Sequence, residues 1–370
     1  MIDEEIIKKF NIPGNLVELK QKTNGNINKT YVAIYDEDGK TSKYLIQQIN
    51  NNVFKNPYEL MDNIENVTTF YQKELDKNDD REHKTLKVIK TINNANLIVC
   101  KNELNEEEFY RAYNFIDNSV CYDSSEDIEV VRNTGKAFGN FQKILHGYPM
   151  ETLVETIKDF HNTKKRFTDF EKDVKKDVAK RVNTVDKEIQ FILDRKNLCC
   201  LIVDKLENKE IPYRVTHNDT KVNNVMMNKQ TKDFLAVIDL DTVMPGSGLY
   251  DYGDGIRSAA SNAVEDEKDL SKVFIKNDLF EAYTDGYLSE LAPYITEEEV
   301  RLMGESIKLM TFELGIRFLN DYINGDTYFK CDYEEHNLDR ARNQLKLVED
   351  IENKMDYINS YIWKSYKRYC

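Results

Sequence analysis

The sequence has no run of about 18 apolar residues, the length a bilayer-spanning helix needs. Its first residues, MIDEEIIKKFNIPG, are acidic and broken by charge rather than built around an apolar core. Neither a membrane span nor a secretory leader is expected. Net positive charge is also lacking. With 52 Lys and Arg against 66 Asp and Glu, the formal charge is −14. That excludes a broad basic face for nucleic acid and gives no attraction to anionic lipid. An anionic ligand would have to be met by local cations or by a metal. The six cysteines include no C-x-x-C, and only Cys199 and Cys200 are adjacent. Free thiols in a reducing cytoplasm are the expectation. No repeat of 20–50 residues and no low-complexity tract interrupts the chain.

What remains is a globular composition, 40% apolar and 32% charged over 370 residues, enough for two lobes with a core each. The first third alternates in the manner of half-buried strands: LVELKQK (16–22), TYVAIY (30–35) and KYLIQQI (43–49). TNGNINK (23–29) and DEDGK (36–40) read as turns. Leu60, Ile64, Val67, Tyr71 and Leu75 have helical spacing, with Pro57 just ahead. TLKVIKT (85–91), ANLIVCK (95–101) and FYRAYNFI (109–116) read as three further strands. The polar stretch 117–127 reads as a loop. From about residue 125 the period becomes helical. The span 164–207 suggests exposed helices, and three or four amphipathic helices are expected beyond Pro293.

One island of short apolar runs interrupts this helical half. RVTHNDTKVNNVMM (214–227) is followed by AVIDLDTVMPG (236–246). Asn224 and Asp239 are oxygen donors suited to Mg²⁺. Asp219 is placed to accept a proton from an attacking hydroxyl, and Lys221 to meet a phosphate. This order of groups is the outline of phosphoryl transfer, which needs positioning and charge neutralisation more than covalent chemistry. A plain polar loop with capping Asp and Asn residues accounts for one such group better than for six.

H-x-D-x-x-x-x-N (His217, Asp219, Asn224) followed by I-D-x-D (Ile238 to Asp241) resembles the aminoglycoside phosphotransferase and choline kinase superfamily. Within it, the chain is most similar to the N-acetylhexosamine 1-kinase family. The segments THNDTKVNNVM, VIDLDTVMPG, DYGDGIRSAA, ELGIRFLNDYINGDTYFK and HNLDRARNQLKLVED carry the likeness, which extends over nearly the whole chain. The resemblance implies an α+β, two-lobed protein-kinase-like fold. Residues 1–116 would form a nucleotide-binding lobe, 117–121 a hinge, and 122–370 a catalytic and sugar-binding lobe. It implies ATP- and Mg²⁺-dependent (or Mn²⁺-dependent) phosphorylation of the anomeric hydroxyl of N-acetylglucosamine or N-acetylgalactosamine. Asp219 would be the base, Asn224 and Asp239 metal ligands, and Asp241 a second carboxylate near metal or sugar. His217 would hold the loop in shape. Asn26, Asn28, Gln47, Ile116 and Asn118 would face the nucleotide, and Arg317 and Tyr328 the sugar. His161 and Arg166 would be structural or part of the substrate lobe.

Two departures from the superfamily pattern stand out. The loop 24–29 has one glycine rather than G-x-G-x-x-G. Gln47 or Gln48 stands where the Lys of V-A-I-K would be, and no helical Glu partner is evident. Short of the resemblance, Arg317 reads as a helix-surface ion pair with Glu313 or Asp321, each four residues away. Three rivals are a kinase for another small alcohol such as choline or an aminoglycoside, a catalytically inactive kinase-fold binding module, and a haloacid-dehalogenase-type phosphatase. The last would use Asp239 as nucleophile, and would require a parallel, doubly wound sheet around it.

Overall fold

The computed structural model describes residues 2, 4–22 and 27–370. A short helix α1 (Glu4–Ile7) precedes strands β1 (Asn15–Lys22), β2 (Lys29–Glu37) and β3 (Lys40–Ile49). Helix α2 (Pro57–Lys77) and strands β4 (Ile98–Lys101) and β5 (Glu107–Asn114) follow. The five strands form one antiparallel sheet of order β1-β2-β3-β5-β4. Period-two alternation gives it two dissimilar faces. Tyr31, Ala33, Tyr35, Ile46, Tyr110 and Ala112 pack with Ile7 and Phe10 into a small satellite core. Ile49, Phe109 and Tyr113 point the other way and join α2 in the main core. The same alternation sends Gln47 and Arg111 to that second face, toward the rest of the molecule.

Helix α2 begins where Pro57 occupies its first turn and Asn56 accepts from the N–H of Glu59. Its buried stripe is the expected one, Leu60, Ile64, Val67, Tyr71 and Leu75. At about 2 kcal/mol for each side chain removed from water, burial of this stripe stabilises docking by on the order of 10 kcal/mol before entropy is counted. On the same face, buried Asn63 donates to the carbonyls of Val154 (2.7 Å) and Val243 (3.1 Å). Its Oδ1 accepts from the N–H of Val154 at 3.0 Å. All three bonds fix α2 against the helical part of the chain.

Residues 85–91 depart from the expectation. They form no strand but only isolated bridges, Val88 to Tyr113 and Thr91 to Phe10. The two bridges use different partners, so no ladder can propagate. The strand expected over 95–101 is trimmed to β4.

Past the short strand β6 (Ser119–Val120) come α3 (Ile128–Ile144), α4 (Thr163–Lys176), α5 (Asp186–Asp194) and α6 (Leu201–Glu207). The helices between 163 and 207 are less exposed than expected, since Phe167, Phe170, Ile189, Ile192 and Ile202 are buried. The β island is real. It comprises β7 (Arg214–Thr216), β8 (Val225–Asn228), β9 (Phe234–Val237) and β10 (Met244–Gly246). It is followed by α7 (Gly248–Ala260), α8 (Asn277–Leu291), α9 (Glu297–Ile323), α10 (His336–Asn353) and α11 (Met355–Tyr369). Close approach between helices needs glycine at several places, of which two position the helices behind the site. A Cβ on Gly286 of α8 would fall 2.0 Å from the carbonyl oxygen of Arg132 in α3, and one on Gly253 of α7 2.3 Å from that of Ser306 in α9.

Every strand pairing among the described residues is antiparallel. Asp239 therefore does not sit at the end of a parallel βαβ sheet, and the phosphatase reading loses the fold it requires. The described residues contain six free cysteines and no helix long and apolar enough to cross a membrane.

Candidate active site

Two antiparallel ladders bring the motifs together. β7 pairs with β10, and β8 with β9, so residues 217–224 (β7 to β8) and 238–243 (β9 to β10) are facing connections between the same two ladders. The N–H of Ile238 donates to Asn224 O at 2.9 Å, Thr242 Oγ1 to His217 O at 2.7 Å, and Asn218 Nδ2 to Thr242 O at 2.8 Å. β7 is anchored from behind. Buried Arg214 donates to both oxygens of Glu299 (2.7 and 2.8 Å), whose Oε2 also closes the capping box of α9 through the N–H of Thr296.

His217 is fully buried against Phe138 and Phe141. The N–H of Asp219 donates to its Nδ1 at 3.3 Å, and its Nε2 lies 2.8 Å from the carbonyl of Ile238. A neutral imidazole protonated on Nε2 satisfies both contacts. The ring thus ties the loop to the second motif.

Asp219 is partly exposed. Its Oδ1 faces Lys221 Nζ at 2.7 Å, and its Oδ2 accepts from Asn224 Nδ2 at 3.0 Å. Asn224 Nδ2 also donates to the backbone carbonyl of Asp219 at 2.8 Å. Lys221 is about half exposed and sits above the usual lysine range. Partial burial opposes its charge, but Asp219 outweighs that.

Asp239 adopts the left-handed conformation (φ 61°), uncommon outside glycine and tolerated by Asp. It remains open to solvent while protein closes around it on other sides. That enclosure, with the negative charges of Asp241 and Asp219, pushes its carboxyl up to about 6. Crowded carboxylates of this kind favour a bound cation. Among the described residues no three His, Cys, Asp or Glu side chains converge as a complete metal cage. One open carboxylate and the Asn224 carbonyl suit an ion such as Mg²⁺ that keeps waters and takes phosphate oxygens.

Asp241 departs from its expected role. It is buried, and both oxygens are already engaged. Arg111 donates Nη1 to Oδ1 at 2.5 Å and Nη2 to Oδ2 at 2.9 Å, while Asn28 Nδ2 donates to Oδ2 at 2.7 Å. Burial opposes the charge on Arg111, yet Asp241 holds it above the usual arginine range. Gln47 lies opposite Arg111 in register. It accepts from Arg111 Nε at 3.0 Å and donates to Thr30 at 3.1 Å.

The other expected nucleotide residues are dispersed. Asn26 lies outside the described residues. Asn28 bonds Asp241 and accepts from the N–H of Asn50 at 3.0 Å. Ile116 is buried, with its carbonyl accepting from Ser119 Oγ. Asn118 is exposed at φ 58°, turned toward the β8–β9 connection through Gln230 and the N–H of Lys229.

Arg317 forms neither of the helix ion pairs that its neighbours suggest. Glu313, fully buried, faces His161 Nδ1 at 3.1 Å and Arg166 Nε at 3.0 Å. Asp321 accepts from the N–H groups of Thr327, Tyr328 and Phe329 and from Asn337. The Arg317 guanidinium instead lies among the rings of Phe329 (5.4 Å), Tyr328 (5.9 Å) and Phe160 (6.0 Å). The structure therefore brings Arg317 and Tyr328 together. Tyr328 is 69% exposed, and neither residue bonds to the Asp219 segment among the described residues.

Sequence reasoning missed Arg111, whose strand reads as ordinary, and gave no role to Asp251 and Asp254 of DYGD. Asp251 is fully buried and accepts from the N–H groups of His217 (2.9 Å) and Asn218 (2.8 Å). Asp254 accepts from the N–H of Thr220 at 3.1 Å and pairs with Arg257. Two carboxylates i, i+3 on one helix face were the available signal.

Comparison with known proteins agrees with this geometry. The profile of the APH phosphotransferase enzyme family matches residues 25–289. Among solved structures, a microcompartment-associated aminopropanol kinase superposes with a TM-score of 0.60 at 14% identity, covering 96% of this chain and 97% of that one. An amicoumacin kinase in complex with AMP-PNP, Ca²⁺ and Ami gives 0.58 at 12% identity, with 93% of each chain covered. A choline kinase from Cryptosporidium parvum Iowa II gives 0.57 at 16% identity, with 98% and 100% covered. These likenesses are of fold. The family match spans most of the sequence and includes both motifs, and by it the chain belongs to the APH phosphotransferase enzyme family, as a kinase of small molecules.

Proposed function

We propose that the protein transfers the γ-phosphoryl group of ATP to the anomeric hydroxyl of N-acetylglucosamine or N-acetylgalactosamine. Residues up to 116 serve as the nucleotide lobe, 117–121 as the hinge, and 122–370 as the catalytic and sugar-binding lobe. The observation that carries the reading is the Asp219 carboxylate held between Lys221 and Asn224, facing the segment of Asp239. An anomeric hydroxyl is more acidic than an ordinary alcohol, so a modest base suffices. Asp219 orients the hydroxyl and takes its proton late in a loose transition state. Lys221 leaves Asp219 to meet the transferred phosphate. Asn224 and Asp239 would hold Mg²⁺ or Mn²⁺, which when bound neutralises charge on the phosphate oxygens. The sugar specificity rests on the sequence likeness and on the meeting of Arg317 with Tyr328.

One observation favours a different acceptor. A cavity of about 240 Å³ beside Asn218 is lined by Glu155, Asp159, Glu207, His161, Tyr213 and Tyr250. Three carboxylates and two tyrosines suit a cationic amino alcohol better than a neutral sugar. The test is incubation with ATP, Mg²⁺ and, separately, N-acetylglucosamine, N-acetylgalactosamine, choline and aminopropanol, followed by ³¹P NMR. A sugar 1-phosphate supports the first reading; a phosphorylated amino alcohol replaces it with the second. Asp219→Asn should lower kcat by about two to four orders of magnitude and leave nucleotide binding nearly unchanged. A loss of only a few-fold would remove Asp219 as the base.

A further inference from the structure

At the junction of sheet and helical part, β3 offers an uncharged amide, Gln47, where the superfamily pattern has a lysine. The neighbouring strand supplies the cation. Arg111 stands opposite Gln47 in register and is 2% exposed. Its guanidinium is fixed by three bonds: Nε to Gln47, and the two terminal nitrogens to the two oxygens of Asp241. Asn28 adds a fourth bond, to Asp241 Oδ2. Two consequences follow from chemistry. Asp241 is neutralised and largely saturated as an acceptor, so of the two aspartates in I-D-L-D only Asp239 remains an open carboxylate. The turn carrying Asp239 is also pinned directly to β5, without a helix side chain in between. A bidentate guanidinium–carboxylate pair specifies orientation as well as distance.

We propose that Arg111 is a positioning residue for phosphoryl transfer, which through Asp241 locks the Asp239 turn to the small-lobe sheet. A nucleotide held by that sheet and a metal held at Asp239 then meet in one geometry. The pairing of a strand arginine with the second aspartate replaces the lysine–helix glutamate pair of the superfamily pattern. The proposal rests on the kinase reading for the nucleotide and metal, and is independent of which acceptor is used.

Two variants test it. Arg111→Lys keeps the charge, but an ammonium cannot serve both carboxylate oxygens and Gln47 in the planar arrangement. The double variant Arg111→Met with Asp241→Leu replaces the pair by apolar groups, a change that buried ion pairs often tolerate without unfolding. Removing only one partner would strand a buried charge, so single truncations are not the test. Fold is checked by circular dichroism and melting temperature. The decisive readout is ADP affinity with Mg²⁺ divided by ADP affinity in EDTA, with kcat measured alongside. Supporting shells of metal sites are worth about 10- to 100-fold in metal affinity or activity. Both variants should therefore lose roughly tenfold of the Mg²⁺ enhancement, keep their ADP affinity in EDTA, and show a similar or larger fall in kcat. A wild-type enhancement and kcat in either folded variant would overturn the proposal. So would unfolding of both, which would assign the pair to stability alone. If no acceptor in the panel is phosphorylated by the wild type but the Mg²⁺ enhancement still falls in the variants, the acceptor reading fails and the positioning role stands.

Discussion

Asp251 and His217 are 34 residues apart, and the buried carboxylate of the first accepts the backbone N–H of the second at 2.9 Å. Its other oxygen takes the next N–H, of Asn218, at 2.8 Å, and Gln142 Nε2 donates to the first oxygen at 2.7 Å. Asn218 has φ 64°, so the chain between β7 and Asp219 bends through a conformation that few residues adopt freely. Burial raises the pKa of Asp251, and these bonds oppose the rise. Asp251 is thus the brace that holds the loop before the proposed base. Asp251→Ala should leave two buried backbone N–H groups without a partner, at about 1–3 kcal/mol each before relaxation, while Gln142 keeps its bond to the carbonyl of Val215. A fall in melting temperature of roughly 3–8 °C is expected for a chain of this size. A fall of under 2 °C would show that water or a neighbour replaces the carboxylate.

Asp239 leads to a prediction about metal removal. Its carboxyl is pushed up to about 6 by enclosure and by Asp241 and Asp219, so its ionised form is disfavoured when no cation is near. A cation that binds the folded chain and not the unfolded one stabilises it by mass action. Addition of Mg²⁺ with ADP should raise the melting temperature of the wild type above that seen with ADP and EDTA. In Asp239→Asn that increment should vanish, and turnover with it, while the EDTA melting temperature stays equal or rises. Near-normal turnover in this variant, or in excess EDTA, would remove Asp239 from the site.

The behaviour of Glu313 with pH follows from its partners. Burial alone would raise its carboxyl, but His161 and Arg166 outweigh burial and hold it below the usual glutamate range. Arg166 is itself held low, by burial first and by Arg317, so the arginine is the costlier half of the pair. A depressed carboxyl contributes stability above its unfolded value, about 4.3, and loses it as pH falls through the folded value. Glu313→Gln leaves the partly buried Arg166 guanidinium facing a neutral amide, and should cost about 3 kcal/mol at pH 7. The gap between wild type and variant in urea denaturation should stay open above pH 5 and close as pH falls below about 4. A gap of the same size at pH 3 and pH 7 would mean that packing, not charge, sets the cost.

Most of the architecture was legible because it rests on periodicity. Leu60, Ile64, Val67, Tyr71 and Leu75 repeat every three to four residues, and they form the buried stripe of α2. TLKVIKT has strand composition too, yet forms only two single bridges, because pairing depends on a partner edge that composition does not encode. At the candidate site, the proximity of Asp219, Asn224 and Asp239 was readable because they crowd into one stretch of chain. Arg111 was not: 130 residues separate it from Asp241, and on its own strand it is an ordinary charged residue between aromatics. The pairing of Asp241 was hidden for the same reason, since an aspartate beside a proposed metal ligand looks available until its distant guanidinium is seen. Arg317 was half legible. Its meeting with Tyr328 across the helix break was expected. The loss of its i±4 acid partners depends on His161, Arg166 and the 327–329 backbone, which lie apart from the helix that suggested the pairs.

Arg317 gives the prediction that bears most directly on the acceptor. No carboxylate pairs with its guanidinium among the described residues, and three aromatic rings surround it at 5.4–6.0 Å. Arg166, Lys172, Lys176, Arg317 and Asn320, with the carboxylates of Asp169 and Asp173, line a groove of about 370 Å³ between α4 and α9, where Asn320 Oδ1 is buried without a partner. Donors and acceptors mixed in this way suit a neutral polyhydroxylated ligand. If the acceptor is an N-acetylhexosamine held by Arg317 and Tyr328, Arg317→Ala should remove about 1–3 kcal/mol of sugar binding, or roughly 5- to 150-fold in sugar KM, with the KM for ATP nearly unchanged. If Arg317 only packs on the rings, the same substitution should lower the melting temperature slightly, through lost cation–π contact of about 0.5–1 kcal/mol, and leave both KM values alone. Parallel measurement with an amino alcohol sharpens the distinction. A cationic acceptor bound in the acidic cavity beside Asn218 should be indifferent to Arg317 and lose affinity in Asp159→Asn instead. An unchanged sugar KM in Arg317→Ala would remove Arg317 from the acceptor site.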